Sequence, residues 1–351
     1  MFKVSLIPFF SINIFSNPLS ECNPELYLKD MGRSMLQWFC SSPEEENNRC
    51  QLLTADLEAF YCCLLEDLNL LEQSLSVGSI SLEWSVEAMN LLKKVQVELL
   101  YLFKKYKLSI SGEAGDGWFN QYMQDSVATL DFCNSLKFAV SRIDRHRMIA
   151  DIAIQKLDRN ICLKAFFSET VDLEKSESQK MIEAVIIGSR VQAGQNRAEE
   201  EDVTLLMLAA KNTTVVVYFL LISALVSPVS VQLGGGDRPS RFPQLKVFDE
   251  MLSTLVGRFR ERASAAPDHS GLLLSERETV GKAMRDIRAQ VARGVADEES
   301  FQSSVELLRA SSLELKKGIK KFDSAVDDVF DVVIRGRTEM LAILKDRDLS
   351  V

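Results

Sequence analysis

The sequence predicts an all-α fold, an elongated antiparallel helical bundle with long heptad-patterned helices, and three observations carry that expectation. None of the eight prolines falls between Pro43 and Pro228 and none follows Pro267, so two long stretches lack the strongest helix breaker. Apolar residues recur in alternating steps of three and four through most of the chain. No alternating strand pattern or strand–turn–strand signal interrupts them. The 351 residues, 46% hydrophobic, suffice for a sizeable core in one large or two ordinary domains.

Residues 1–50 form the first expected region, poorly ordered. Val4 to Phe15 is an apolar run behind a single Lys, roughly like a secretory signal, but Pro8 and Asn13 interrupt it and no small-residue cleavage site follows. A loosely ordered apolar tail is the preferred reading. Glu44-Glu45-Glu46-Asn47-Asn48 then reads as a solvated linker before the first regular element.

Residues 51–163 form the N-terminal helical region. Leu53, Leu57, Phe60, Leu64, Leu68, Leu71 and Leu75 make one stripe, ended by Gly78-Ser79. Ser81 is placed to cap the next helix and Glu83 to favour its first turn. That helix repeats the stripe at Trp84, Ala88, Leu91, Val95, Leu99, Leu102 and Tyr106, and the short link makes the two an antiparallel hairpin. Ser111–Gly117 opens a third helix with Asp116 as its expected cap. Its inner face is assigned to Tyr122, Val127, Leu130, Cys133, Leu136, Val140 and Ile143, with the pattern running on to about Leu163.

Residues 164–201 read as a charged connection around one short helix, Met181–Ile187. Residues 202–233 form an apolar helix. No charge occurs between Lys211 and Asp237, and the dense core Val215–Val226 suits a central buried helix or, with its flanks, a single membrane span. The flanking charges set no orientation. Residues 234–351 form the C-terminal helical region, opened by the Gly234–Pro239 loop. Its first helix carries Leu245, Phe248, Leu252, Leu255 and Phe259. The second begins at a capping box, Ser275-Glu276-Arg277-Glu278, and stops at Gly294. The last, capped by Asp297, carries the stripe 301, 305, 308, 315, 319, 322, 326, 329, 333, 340 and 344, with Gly318 and Gly336 as places where it could bend.

Charge and residue type narrow the function. The net charge is −9, and all of it precedes Gly234, beyond which acidic and basic residues balance, so nucleic acid is not an expected partner. Two histidines and seven cysteines make neither a His-rich metal site nor a disulfide scaffold. Cys62-Cys63, Cys133 and Cys162 read as free thiols in a reducing compartment. His146 lies in a basic turn, Arg142 to Arg147, where Asp144 or Asp151 could orient it as a base; a solvated basic face is the preferred reading. His269 belongs to turn composition. Gly112-x-x-Gly115-x-Gly117 and Gly234–Gly236 lack the spacing and neighbours of phosphate loops. No catalytic, cofactor-binding or metal-binding residue is expected. Self-packing is the default use of several stripes in one chain, and an exposed residual stripe on the final helix would be a surface for a protein partner.

The order of these patterns resembles the plant BYPASS family. Trp118-x-x-x-Tyr122-x-x-x-Ser126-Val127-x-x-Leu130-Asp131-x-Cys133-Asn134 is similar to its central signature. Ser275-Glu-Arg-Glu-Thr-Val280 and Ile334-Arg-Gly-Arg-Thr-Glu-Met-Leu341 are similar to its C-terminal helices, and Val215–Val226 lies where members carry a hydrophobic segment. The likeness covers roughly Leu52 to Leu344 and rests on order and spacing. It implies a non-enzymatic protein of root and shoot development that restrains a mobile root-derived signal arresting shoot growth. Relatives linked to the exocyst imply, as an alternative, a membrane-associated trafficking adaptor. A helical carrier of an apolar metabolite is a further alternative, drawn from bundle architecture. The expected location is intracellular, membrane-associated or cytoplasmic. The apolar N-terminus departs from the family's Pro/Phe-rich start.

Overall fold

The computed structural model describes residues 44–106, 115–158, 201–225, 245–264, 274–295 and 297–348. They form an all-α protein of seven helices: α1 Glu44–Val77, α2 Leu82–Tyr106, α3 Gly115–Asp158, α4 Glu201–Leu225, α5 Leu245–Ser264, α6 Ser275–Arg293 and α7 Glu298–Asp348. No strand occurs among the described residues. The apolar N-terminal run, residues 159–200, the Gly234–Pro239 loop and His269 lie outside them, as do Gly112 and Cys162.

The first correction concerns Glu44 to Asn48, which belong to α1 rather than to a linker. Three glutamates in a first turn complement the positive end of the helix dipole, so a charge run there starts a helix. Similarly, α3 begins at Gly115, one residue ahead of the expected Asp116 cap.

Ion-pair registers give the helix directions. Asp67 pairs with Lys94 and Asp56 with Lys105, so α1 and α2 are antiparallel, as the short link requires. On α3 and α7, Lys137 meets Asp323 while Arg337 meets Ser126, again antiparallel. Lys93 with Asp328 and Lys104 with Glu339 keep a constant separation of 235 residues, so α2 and α7 run parallel. Lys211 with Asp125 and Tyr218 with Phe132 make α3 and α4 parallel as well. Parallel neighbours need long returns, and 42 residues separate Asp158 from Glu201. The arrangement is therefore not uniformly antiparallel.

The centre is α2, which packs on α1, α4 and α7. Besides the expected stripe from Trp84 to Leu102 it buries a second one, Ser85, Met89, Leu92, Gln96 and Phe103. Around it, α5 lies on α1 and α4, while α6 lies on α7. The 51 residues of α7 are helical throughout, a rod of roughly 75 Å at 1.5 Å per residue. Its buried positions step by three and four: Val305, Leu308, Ser312, Leu315, Ile319 and Phe322, then Val326, Val329, Val333, Gly336 and Met340.

Two of those positions, Ser312 and Gly336, are gaps in the apolar stripe seen in the sequence. Each is filled from α3. Ser312 Oγ donates to Asp151 at 2.6 Å. Gly336 receives Tyr122, whose hydroxyl comes within clashing distance of where a Cβ would be. Gly318 lets Leu82 approach in the same way, with 2.9 Å from a would-be Cβ to Leu82 Cδ1. Both glycines admit a neighbour and leave the helical assignment of α7 unbroken.

Candidate functional site

The turn between α1 and α2, residues 78–81, gathers polar contacts from distant parts of the chain. Ser81 Oγ accepts from Trp84 N–H at 3.1 Å, the expected cap. Glu276 Oε1 accepts from Leu82 N–H at 3.0 Å, a second cap supplied by α6. The last carbonyls of α1, Leu75 and Ser76, accept from the Arg262 guanidinium of α5, which also offsets the negative helix end. One turn back, Arg258 pairs with buried Glu72 at 2.7 Å. Ser275 N–H donates to Ile80 O at 2.9 Å.

The expected capping box at Ser275 is not formed. Leu274, 1% exposed, occupies the cap position without a side-chain bond, and Ser275 Oγ donates to Glu276. Burial of Leu274 starts α6 one residue early and frees Glu276 to cap α2. By contrast, Asp297 caps α7 as expected, accepting from Glu299 and Ser300 N–H at 3.2 and 3.4 Å, and Gly294 ends α6 at φ 75°.

A second junction joins α3 to α7. Arg337 Nη1 donates to Met123 O at 2.6 Å and to Ser126 Oγ. Buried Ser126 and Thr129 occupy inner positions of α3, whereas Val127, expected inside, is 44% exposed. Their hydroxyls donate to carbonyls of their own helix, at Met123 and Asp125, so burying them costs little. Burial pushes Tyr122 up to about 12.

The turn Arg142–Arg147 is a mixed one. Arg145 is exposed, but Arg147 is buried and paired with Asp144 at 2.6 Å and with Asp151. The carboxylates that could orient His146 are therefore engaged by Arg147. Burial pushes the Cys133 thiol up to about 12, which disfavours the reactive thiolate. Cys62 is raised by burial, then by Cys63, Glu58 and Glu66; Cys63 is exposed. No group of three or more His, Cys, Asp or Glu suited to a metal occurs among the described residues.

Leu205–Leu225 of α4 is long and apolar enough to cross a membrane, and 61% of its apolar window is buried inside the protein. Thr213 and Thr214 return their hydroxyls to Ala209 and Ala210 carbonyls, and Lys211 pairs with Asp125 at 2.9 Å. An open groove of about 630 Å³ runs between α1 and α2, bordered by the Asp67–Lys94 pair, Gln73, Glu87 and the exposed Leu70 and Val77. It is a shallow, mixed surface, unlike an enclosed small-molecule pocket. The remaining features are faces: the outer sides of α3 and α7 expose Val127, Phe138, Met148, Leu313, Ile334 and Leu341. Comparison with protein-family models, curated proteins and solved structures finds no match. Fold and site thus define an all-helical protein whose conspicuous features are interhelical junctions and exposed apolar side chains.

Proposed function

We propose that this protein is a non-enzymatic regulator of plant root and shoot development of the BYPASS type, acting through protein contacts. In this role it restrains production of a mobile root-to-shoot signal that arrests growth. The observation that supports the reading is where the family-like segments meet. Tyr122 and Ser126 of the central signature lock onto Gly336 and Arg337 of the last segment. Ser275 and Glu276 of the middle one bind the α1–α2 turn. Segments defined by order and spacing thus take part in joining remote helices. Expression in a plant lacking its BYPASS genes tests the role: restored shoot growth is expected, and failure of well-expressed protein to restore it counts against the assignment.

A second reading, a membrane-associated trafficking adaptor inside the cell, is favoured by the apolar length of Leu205–Leu225. The burial of that helix favours attachment through partners over a span. Alkaline carbonate should then release the protein from membranes, and resistance to extraction would sink the buried-helix version.

A further inference from the structure

We infer that the outer face of α3 and α7 is a homodimer interface, two copies packing face to face about a twofold axis perpendicular to these helices. The inference comes from symmetry hidden in the exposed positions. Along one narrow strip of α7 the exposed apolar and charged residues are Leu313, Lys316, Lys320, then Asp327, which also pairs with Lys137 of its own chain, Asp331 and Ile334; Ser324 lies between, and Glu314, Lys317, Lys321 and Asp328 are exposed to one side. The steps are 3, 4, 7, 4 and 3, a palindrome in spacing whose charges invert about its middle. An antiparallel copy in that register sets Leu313 on Ile334, Lys316 on Asp331 and Lys320 on Asp327. Each contact then occurs twice, as a closed isologous interface requires.

The neighbouring helix carries a looser version of the pattern, with steps of 4, 7, 7 and 3. Exposed Val127, Asp131, Phe138, Arg145 and Met148 are arranged about Phe138, so antiparallel α3 helices set Asp131 on Arg145 and Val127 beside Met148. The two centres coincide. Lys137 Nζ lies 2.6 Å from Asp323, which places Phe138 level with the middle of the α7 pattern. One axis therefore serves both helices. Charge complementarity singles out a second copy as the occupant, because an unrelated helix has no reason to match an inverted palindrome.

Exposed ion pairs contribute little each, so here they set register and direction. Association comes from the apolar residues, with Phe138, 53% exposed, at the axis. This inference is independent of the developmental role.

Sedimentation equilibrium of the full chain, from about 1 to 100 µM, tests it. The expected species is a dimer. Phe138→Glu should weaken association by about tenfold or more while circular dichroism stays unchanged. Lys316→Glu/Lys320→Glu and Asp327→Lys/Asp331→Lys should each associate poorly, and an equimolar mixture should recover a dimer holding one of each. Lys137 keeps Asp323 in the second variant. If Phe138→Glu does not fold, the charge-swapped mixture decides. A monomer throughout, a dimer indifferent to Phe138→Glu, or a mixture no better than its components overturns the inference.

Discussion

Helices α4 and α7 use apolar residues in opposite ways. Every described side chain of α4 is buried or half-buried; Thr213 and Thr214 bond within the helix, Lys211 pairs with Asp125 of α3, and Ser223 Oγ is buried without a hydrogen-bond partner. By contrast, α7 buries one side and exposes mostly charged and polar residues on the other, with Leu307, Leu313, Ile334 and Leu341 among them. A helix apolar all round needs neighbours on every side, lipid or protein. Here α2, α3 and α5 are those neighbours. A one-sided helix leaves a surface to be read by a partner. The lesson is that hydropathy measures how much contact a helix needs, and only packing says with what.

The largest effect should break α4. Leu221 is fully buried, and Leu221→Asp puts a charge where nothing can pair with it, a loss above about 4 kcal/mol that should leave no cooperative unfolding transition. Lys320→Glu, on the exposed face of α7, should change the stability of the single chain by less than about 0.5 kcal/mol.

Alkaline pH should loosen the packing around α3. Burial raises Cys133 from 9.0, and Tyr122 and Tyr218 from 10.0, each to about 12. Between the ordinary values and about 12 the folded chain holds more protons than the unfolded one. Stability is therefore fully present below pH 9 and falls as pH rises through that window. Urea unfolding at pH 8 and at about pH 10.5 should show a lower midpoint at the higher pH.

A smaller effect tests the gap in the α7 stripe. Gly336→Ala drives a Cβ into the Tyr122 hydroxyl and should cost about 1–3 kcal/mol. Adding Tyr122→Phe removes the colliding atom and should recover much of the loss; an additive double variant would refute the close-approach role. Of similar or smaller size is Asp297→Ala, about 1 kcal/mol from the lost cap of α7, measured by thermal unfolding.

Much of the fold was legible because it depends on local rules. The Ser81 and Asp297 caps, the Gly294 stop and the stripes of α1 and α7 follow from spacing and backbone chemistry alone. The errors arose where a distant group changed a local preference. Val127 was assigned inside because it is apolar, but Ser126 faces Arg337, more than two hundred residues away in the chain. Ser275 looked like a cap until Leu274 was buried and Glu276 found Leu82. A signal for the missed α3–α7 junction did exist: a heptad stripe with small residues at 312 and 336 marks positions where another helix must enter.

The sequence by itself determined that the described residues are helical, where several of the helices begin or end, and which stripe of α7 is buried from Val305 to Met340. Those features are set within a few residues, by hydrogen bonds between near neighbours and by the 3.6-residue repeat. Only the tertiary structure decided that α4 is enclosed, that α2 runs with α7 rather than against it, and that Glu276 and Arg262 seal another hairpin's turn. It also brought the mirrored charges of α3 and α7 level with each other. Such choices depend on which surfaces meet across hundreds of residues, and pairwise contact of that kind leaves no periodic trace in the chain.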